Sequence, residues 1–238
     1  MFENGREIGA TPADATPAAK AASKRERTRA AIRESAIRLF RERGYEATTL
    51  RLVAADCGLA VGSAYYHFPS KQHLVQEVFV DAVVAQSAAA AARFATEETL
   101  VPRIRIAFET GIASLQPYAA HAGEFLAAMT APSSPVNPLS TESGPAREIA
   151  VGVFRDAVAG ARGTLPRDIE EALPEALWTA FLLLALFWVS DASPGRTRTA
   201  ALLDRGLRLL ATALPLLRLP VLRAPAREFL GLLTAVRS

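Results

Sequence analysis

The chain has 238 residues, and 50% of them are hydrophobic, so it is long enough to bury a substantial core and to divide into two domains. Its single cysteine excludes an intrachain disulfide and favours a reducing compartment. The net charge of +3 is uneven, because residues 1–71 carry +4 and residues 72–238 carry −1. A basic excess confined to one end is typical of proteins that bind phosphate groups there.

The N-terminal part of the sequence predicts a disordered tail followed by a basic helix. Residues 1–22 are rich in Ala, Thr and Pro and lack a hydrophobic stripe. Between residues 20 and 43 there are nine Lys or Arg residues and three Asp or Glu residues, so the helix has a basic edge. Gly44 is expected to end it. The apolar residues that share one face of this helix are Ile32, Ala36, Leu39 and Phe40.

Two short helices joined by a glycine turn are predicted next. Thr48 or Thr49 can begin the first, because a threonine oxygen accepts a hydrogen bond from an otherwise unpaired amide. Gly58 stands where a helix ends in a left-handed residue. The second helix is expected from Val61 to His67, and Pro69 discourages its continuation. The inward positions of this pair are predicted to be Leu50, Val53, Ala54, Cys57, Leu59, Ala64 and Phe68.

The rest of the sequence predicts further helices and no membrane span. A long helix from Lys71 to about Phe94 connects the two parts of the chain. The densest apolar run, Leu177–Val189, is shorter than the roughly 20 residues that a membrane helix needs, and is interpreted as a core helix buried on most of its circumference. No apolar signal segment follows the N-terminus, so we expect a cytoplasmic protein. Further helices are expected near residues 99–115, 118–130, 144–162, 167–190, 195–214 and 224–236.

The segment from about Arg25 to Val80 resembles the DNA-binding domain of TetR-family transcriptional regulators. The resemblance is carried by LFRERGYEATTL, by AADCGLAVGSAYYHF and by PSKQHLV, with the same order and spacing. It implies an all-α protein in which a three-helix helix-turn-helix domain (residues 23–85, with the motif at about 48–67) precedes a larger helical domain (residues 86–238). The larger domain is expected to bind a small molecule and to form a homodimer through the helices near 167–190 and 195–214.

The resemblance also implies which residues contact DNA. Arg51 stands where family members reach a base edge, and an arginine pairs bidentately with guanine. Val61 replaces a common polar residue and can make only an apolar contact, for example to a thymine methyl group. Alternatively, Arg51 is simply solvated and Tyr65 belongs to the core. The ten positions predicted to contact DNA are Thr48, Thr49, Arg51, Val61, Gly62, Ser63, Tyr65, Tyr66, His67 and Lys71.

An effector pocket is expected in the larger domain, lined by apolar groups with one polar handle. The alternative is that these aromatic residues are plain core, and that the apolar faces of the last long helices pack within one chain. The residues predicted to line the pocket are Phe79, His121, Glu124, Phe125, Met129, Phe154, Trp178 and Phe181.

The sequence therefore predicts a repressor that binds a palindromic operator in double-stranded DNA as a homodimer and is released by a small hydrophobic effector. The alternative is a constitutive dimeric DNA-binding protein whose larger domain serves only for dimerisation. An enzyme is not expected, since the sequence has no glycine-rich phosphate loop and no convincing nucleophile–base pair. No metal site and no cofactor are expected either, because the histidines and Cys57 lack ligand spacing.

Overall fold

A computed structural model describes residues 17–130, 134, 136–140, 143–163, 165–216, 228 and 231. Within these residues the chain is helical and contains no strand, which confirms the predicted fold class. The predicted terminal helix at 224–236 lies outside the described residues except for two helical positions, Glu228 and Gly231. The helices are α1 (Pro17–Ala47), α2 (Leu50–Asp56), α3 (Val61–His67), α4 (Lys71–Phe94), α5 (Leu100–Leu115), α6 (Ala122–Thr130), α7 (Gly144–Ala159), α8 (Arg167–Ser190) and α9 (Thr197–Leu216).

Helix α1 begins earlier than the sequence indicated. Residues 17–22 are helical, so their assignment to a disordered tail is wrong, while residues 1–16 lie outside the described part. The physical reason is local: proline is favoured at the first position of a helix, and alanine has the highest helix propensity. At the other end Gly44, with φ of 80°, interrupts α1 where the sequence predicted its end.

The first hydrophobic core joins α1, α2, α3 and the start of α4. The predicted inward residues Ile32, Phe40, Val53, Ala64 and Phe68 are essentially inaccessible to solvent, whereas Cys57 and Leu59 are only partly buried. Residues from later in the chain complete this core, namely Tyr118, Phe125 and Val136. The helix-turn-helix unit therefore packs directly against the segment around α6.

The second core lies between α4, α5, α7, α8 and α9. Phe108, Phe154 and Phe181 contact one another at its centre, with ring centroids 5.2 to 6.1 Å apart. Helix α4 belongs to both cores, since Leu74 lies in the first and Ala90 in the second. The segment predicted as one helix at 118–130 is instead a 3-10 turn (Gln116–His121) followed by α6.

A buried arginine closes one end of the second core. The guanidinium of Arg103 donates to the carbonyl oxygens of Phe94 (3.0 Å) and Glu97 (2.7 Å) at the end of α4. It also donates to the carbonyls of Asp156 (2.7 Å) and Ala157 (2.9 Å) at the end of α7. Carbonyl groups near a helix C-terminus carry partial negative charge, so one cation stabilises the ends of two helices.

A carboxylate fixes the corner between α8 and α9. Asp191 accepts hydrogen bonds from the amide and hydroxyl of Thr199 (2.8 and 2.7 Å) and from those of Ser193 (3.0 and 2.6 Å). Burial alone would raise the pKa of Asp191, but these four hydrogen bonds outweigh it and hold the pKa well below its usual range. Arg196, stacked on Trp188, donates to the Trp188 carbonyl and completes the corner.

Replacing Asp191 with asparagine is expected to lower the melting temperature at neutral pH, because the charged acceptor of four hydrogen bonds is lost. A depressed pKa in the folded state adds stability above the unfolded-state pKa, and this stability is lost as the pH falls. The difference in melting temperature between wild type and Asp191→Asn should therefore shrink as the pH falls from about 7 to about 3.

Thermal unfolding across this pH range measures that difference. Asp204→Asn is the control, because Asp204 lies on α9 and is a more exposed partner of Arg105. A difference for Asp191→Asn that is independent of pH would contradict the role assigned to its charge.

Two helices are long and apolar enough to cross a membrane by length and composition alone, Lys71–Phe94 and Arg167–Ser190. In the fold both contribute residues to hydrophobic cores, as the core helices of other proteins do. Most residues of the run Leu177–Val189 are buried or partly buried, but Leu183, Leu186 and Phe187 leave one side of α8 exposed.

Candidate DNA-binding surface and adjoining cavities

The two threonines before α2 have different roles. The Thr49 hydroxyl accepts a hydrogen bond from the Leu52 amide (3.1 Å) and caps the helix. Thr48 is fully buried, and its hydroxyl donates to the Gly44 carbonyl (2.8 Å). The prediction that Thr48 contacts DNA is therefore contradicted, because its side chain is turned into the protein to satisfy the carbonyl at the α1 interruption.

The turn between α2 and α3 has the geometry expected from the sequence. Gly58 has φ of 66°, a left-handed conformation that glycine adopts without steric cost. Ala60 occupies the position before α3 and provides no side-chain cap. Gly62 on the first turn of α3 has open space around the position where a Cβ would lie. The backbone of α3 is thus accessible to a close-fitting partner.

The outward side of α2 and α3 forms a continuous accessible face, here called the recognition surface. Tyr65 is 52% exposed and Tyr66 is 68% exposed, so the alternative that Tyr65 belongs to the core is wrong. Arg51 is also exposed, and it forms no ion pair with any described residue. The remaining members, all at least partly accessible, are Thr49, Val61, Gly62, Ser63, His67 and Lys71.

Two arginines of α1 support the end of α3. Arg29 donates to the His67 carbonyl (3.1 Å), stacks on Phe68, and pairs with Glu77 of α4 (2.6 Å). Arg25 lies over the ring of Tyr66, 5.4 Å from its centroid. Partial burial lowers the pKa of His67, and the positive charges of Arg25 and Arg29 lower it further. His67 therefore presents a neutral imidazole near pH 7.

Lys71 lies at the base of the recognition surface and is held there by the last residues of α1. Its ammonium group lies 3.9 Å from the centroid of the Tyr45 ring and donates to the Glu46 carbonyl (3.2 Å). Burial lowers the pKa of Lys71, while the carboxylates of Glu46 and Glu124 oppose this shift. The lysine is thus fixed in position, and an ammonium with three donors still has hydrogen-bonding capacity for a phosphate.

The basic edge of α1 is partly neutralised within the fold. Glu77 pairs with Arg29 and Arg33, and Asp81 pairs with Arg33 and Arg41. Hydrogen bonds from Ser35 and Arg38 hold the pKa of Asp56 below its usual value. These arginines tie α1 to α2 and α4, so much of the positive charge counted in the sequence is used for packing.

His121 and Glu124 lie outside the cavities described below, contrary to the prediction. The Glu124 carboxylate accepts from the Glu46 amide (2.8 Å) and pairs with His121 Nδ1 (3.0 Å). The Glu46 amide is the first cause of the lowered pKa of Glu124. A Cβ at Gly44 would overlap both side chains. The His121 and Glu124 side chains are held in this position because α1, at Gly44, packs directly against the start of α6.

Two adjoining cavities are lined in part by α4. The smaller cavity, of about 210 Å³, is lined by Phe79, Trp178 and Phe181 among others. The larger cavity, of about 420 Å³, is lined by Phe79, Phe125 and Met129 among others. Five residues form a shared wall: Phe79, Ala82, Leu115, Pro138 and Leu182. Phe154 lines neither cavity, because it is fully buried among the rings of the second core, so its predicted role is wrong.

Helices α8 and α9 expose a second apolar surface. Leu183 is 62% exposed and Leu209 is 71% exposed. Together with their neighbours they define the α8–α9 face, which consists of Leu183, Leu186, Phe187, Leu202, Leu209 and Leu216. Single exposed leucines are ordinary, but a group on two adjacent helices indicates an interaction surface.

Two protein-family models match the chain. The model described as bacterial regulatory proteins of the tetR family matches residues 32–78. The model described as the tetracyclin repressor-like C-terminal domain matches residues 103–224, which is more than half of the 238 residues. The chain belongs to the TetR family of transcriptional regulators.

Individual relatives match short parts of this TetR-family regulator. An uncharacterised HTH-type transcriptional regulator of Mycobacterium tuberculosis is 41% identical over 70 residues, which are 28% of this chain and 33% of the relative. The HTH-type transcriptional repressor KstR2 of Mycolicibacterium smegmatis is 46% identical over 43 residues, covering 18% and 21%. The chain therefore matches about a third or less of the length of these relatives.

A solved structure shows the same fold over most of the chain. It is a TetR transcriptional regulator of Nitrosomonas europaea, with a TM-score of 0.54 and 20% identity, covering 78% of this chain and 98% of the other. The resemblance proposed from the sequence motifs is confirmed by these matches.

Sequence reasoning missed several residues of this TetR-family site. Arg25 and Arg29 were counted as basic charge, but their positions at the end of α3 follow from how α1 crosses it. Gln86 and Arg147 line the smaller cavity and were not singled out. Arg147 is separated from Phe79 by many residues in the sequence, so no local pattern connects them.

Proposed function

We propose that this TetR-family regulator is a repressor that binds operator DNA through the recognition surface and is released by a small apolar effector. The observation that carries the proposal is the exposure of Tyr65, Tyr66 and Arg51 on one side of a buried three-helix core. Large aromatic groups exposed side by side indicate an interaction surface, and together with a solvated arginine they suit a DNA groove. The relative KstR2, described as a repressor, supports the sign of regulation.

The side-chain chemistry of each residue of the recognition surface determines whether we assign it to a base or to the phosphate backbone. Arg51 is assigned to a guanine edge, and Val61 to a thymine methyl group. Thr49, Tyr66, His67 and Lys71 are assigned to the phosphate backbone, which fixes the position of α3. The three remaining members, Gly62, Ser63 and Tyr65, lie along α3, where contacts to bases and to the sugar–phosphate backbone mix.

The α8–α9 face supports assembly as a homodimer. Its exposed leucines and Phe187 lie on the two helices that the sequence predicted for pairing. A twofold dimer places two α3 helices in successive major grooves about 34–36 Å apart, so the operator is expected to be palindromic. The assignment of residues 23–85 to DNA binding and of 86–238 to effector binding and dimerisation is part of the same proposal.

The cavities favour ligand-responsive repression over constitutive binding. Small-molecule sites are typically apolar and have volumes of about 300–1,000 Å³, and the larger cavity lies within that range. Both cavities adjoin α4, which begins at Lys71 beside the recognition surface. A ligand that changes the position of α4 changes the spacing of the two α3 helices.

Selection of DNA from a random duplex library with the purified full-length protein tests the proposal. We expect a palindrome with two equivalent half-sites and an affinity that falls steeply with salt. Recovery of no enriched sequence at low salt, or of a single half-site, would contradict operator binding by a dimer.

Replacing Arg51 with alanine is expected to relax the preference for one base pair per half-site by about 1–3 kcal/mol, because a bidentate contact to a base is removed. Fluorescence anisotropy with the selected operator and its single-base variants measures this. Tyr66→Ala is the matched control and should weaken binding to all variants equally. An unchanged base preference after the Arg51 substitution would place that residue outside the base-reading set.

A further inference from the structure

The smaller cavity contains a positive charge for which the described part of the chain provides no ion-pair partner. Arg147, on the first part of α7, lines this cavity and lies 6.0 Å above the ring of Trp178. It is only half-buried, and no carboxylate of the described residues pairs with it. Its neighbour Glu148 pairs with Arg155 instead, 3.0 Å away. An arginine at the edge of an apolar space, stacked on an aromatic ring, is suited to bind a planar anion.

Glu77 is the one carboxylate among the described residues that line this cavity, and it does not favour a cationic ligand. Glu77 pairs with Arg29 (2.6 Å) and Arg33 (3.5 Å) of α1, so its charge is already balanced. The buried amide of Gln86 donates to the Ala107 carbonyl (3.0 Å) and offers a neutral hydrogen-bonding group nearby. The electrostatic preference of the site is therefore for a negative group at Arg147.

The volumes indicate how far the ligand extends. The smaller cavity, at about 210 Å³, is below the roughly 300–1,000 Å³ typical of small-molecule sites. The larger cavity borders it at the five common lining residues, and its apolar lining extends toward Phe125 and Met129. A ligand with a polar group at Arg147 that passes between these residues would place its hydrocarbon portion beyond Phe79.

We propose that the effector is an elongated apolar carboxylic acid, bound with its carboxylate on Arg147 and its hydrocarbon portion directed into the larger cavity. This inference rests on the proposed effector role of the cavities and specifies the chemistry that they recognise. Arginine and carboxylate form a bidentate pair, and the shielding by Trp178 and Phe181 strengthens it relative to water.

Isothermal titration calorimetry of the full-length protein tests the head group. The probes are the fatty acids from hexanoate to dodecanoate and phenylbutyrate, each compared with its primary amide. We expect members of the acid series to bind about 10- to 100-fold more tightly than their amides, the range for a charge-assisted hydrogen bond. In Arg147→Met this preference should disappear, while the methionine keeps an apolar side chain at the position.

Arg155→Met is the matched control for this substitution, because Arg155 lies on the same helix and does not line the smaller cavity. It should retain the preference for the acid. If no acid in the series binds, if amides bind equally well, or if Arg147→Met keeps the preference, the inference is overturned.

A second variant tests the position of the hydrocarbon portion. Met129→Trp partly fills the larger cavity, so it should weaken dodecanoate binding at least tenfold while leaving hexanoate nearly unchanged. An equal effect on both acids would overturn the proposed direction of the ligand.

Operator binding measured with and without the acid is a separate readout. If the acid binds through Arg147 but leaves operator affinity unchanged, effector release fails while the assigned chemistry of the cavity stands.

Discussion

Replacing Arg103 with methionine is expected to lower the free energy of unfolding by about 3–5 kcal/mol, one of the largest effects of any single substitution in the chain. The guanidinium donates to four carbonyl oxygens near the ends of α4 and α7, of which those of Phe94 and Asp156 also accept from the backbone amides of Glu97 (3.3 Å) and Gly160 (3.1 Å). Methionine has a similar apolar stem but no donor, and a buried acceptor left without a partner costs about 1–3 kcal/mol. Urea denaturation followed by circular dichroism, at a fixed protein concentration, measures the change.

Arg105→Met is the control for Arg103, because both lie on α5. Arg105 pairs with Asp204 at 2.5 Å and with Glu109, but all three side chains are partly exposed, unlike that of Arg103. Exposed ion pairs contribute roughly 0–1 kcal/mol, so this variant should remain close to wild type. Equal losses for the two substitutions would show that the carbonyl contacts of Arg103 do not determine its effect. Gly160→Ala should lower the free energy of unfolding by an amount similar to that for Arg103→Met, because a Cβ at residue 160 would overlap the Arg103 guanidinium.

Placing arginine at both Leu183 and Leu209 is expected to convert the proposed homodimer to a monomer and to lower operator affinity about 10²- to 10⁴-fold. Two linked half-site contacts gain an effective concentration that separate monomers lack. Both leucines are more than 60% exposed in the single chain, so the charged side chains should leave its fold intact. Analytical ultracentrifugation gives the assembly state, and anisotropy gives the operator affinity.

Val84→Arg is the control for the dimer variant, because Val84 is half-exposed but belongs to α4 and not to the α8–α9 face. It should remain dimeric. A wild-type sedimentation coefficient for the double variant would assign the dimer interface to another surface. In addition, the melting temperature of the wild type should rise with protein concentration, as expected when folding and association are linked.

The parts of the structure that the sequence predicted well are those encoded by local spacing. Ile32, Phe40 and Val53 recur at helical intervals, and periodic burial places such residues inward in almost any packing. The left-handed conformation of Gly58 was also predictable from the local sequence, since it depends only on the backbone of that residue. The resemblance to a known family then gave the order of the helices and the face of α3 that is exposed.

The predictions that failed depend on contacts between distant segments. Thr48 looks equivalent to Thr49 in the sequence, but only the interruption at Gly44 makes its hydroxyl a donor to the interior. His121 and Glu124 have the polar side chains expected of a ligand contact, yet they pair with each other, and Glu124 binds the last residues of α1. The same reason applies to Arg147, which becomes a cavity residue only when α7 packs beside α8.

The ion pair between Glu77 and Arg29 gives the cavity wall a direct mechanical connection to the end of α3. Glu77 lines the smaller cavity, and the arginine that it holds donates to the last carbonyl of α3 at His67. A ligand whose bound position requires this glutamate to turn away leaves that carbonyl without its support. Because coupling between two sites is reciprocal, DNA that immobilises His67 makes the turned-away arrangement less favourable by the same free energy. Under the proposed function, the ligand and the operator would thus compete for one carboxylate orientation without occupying a common position.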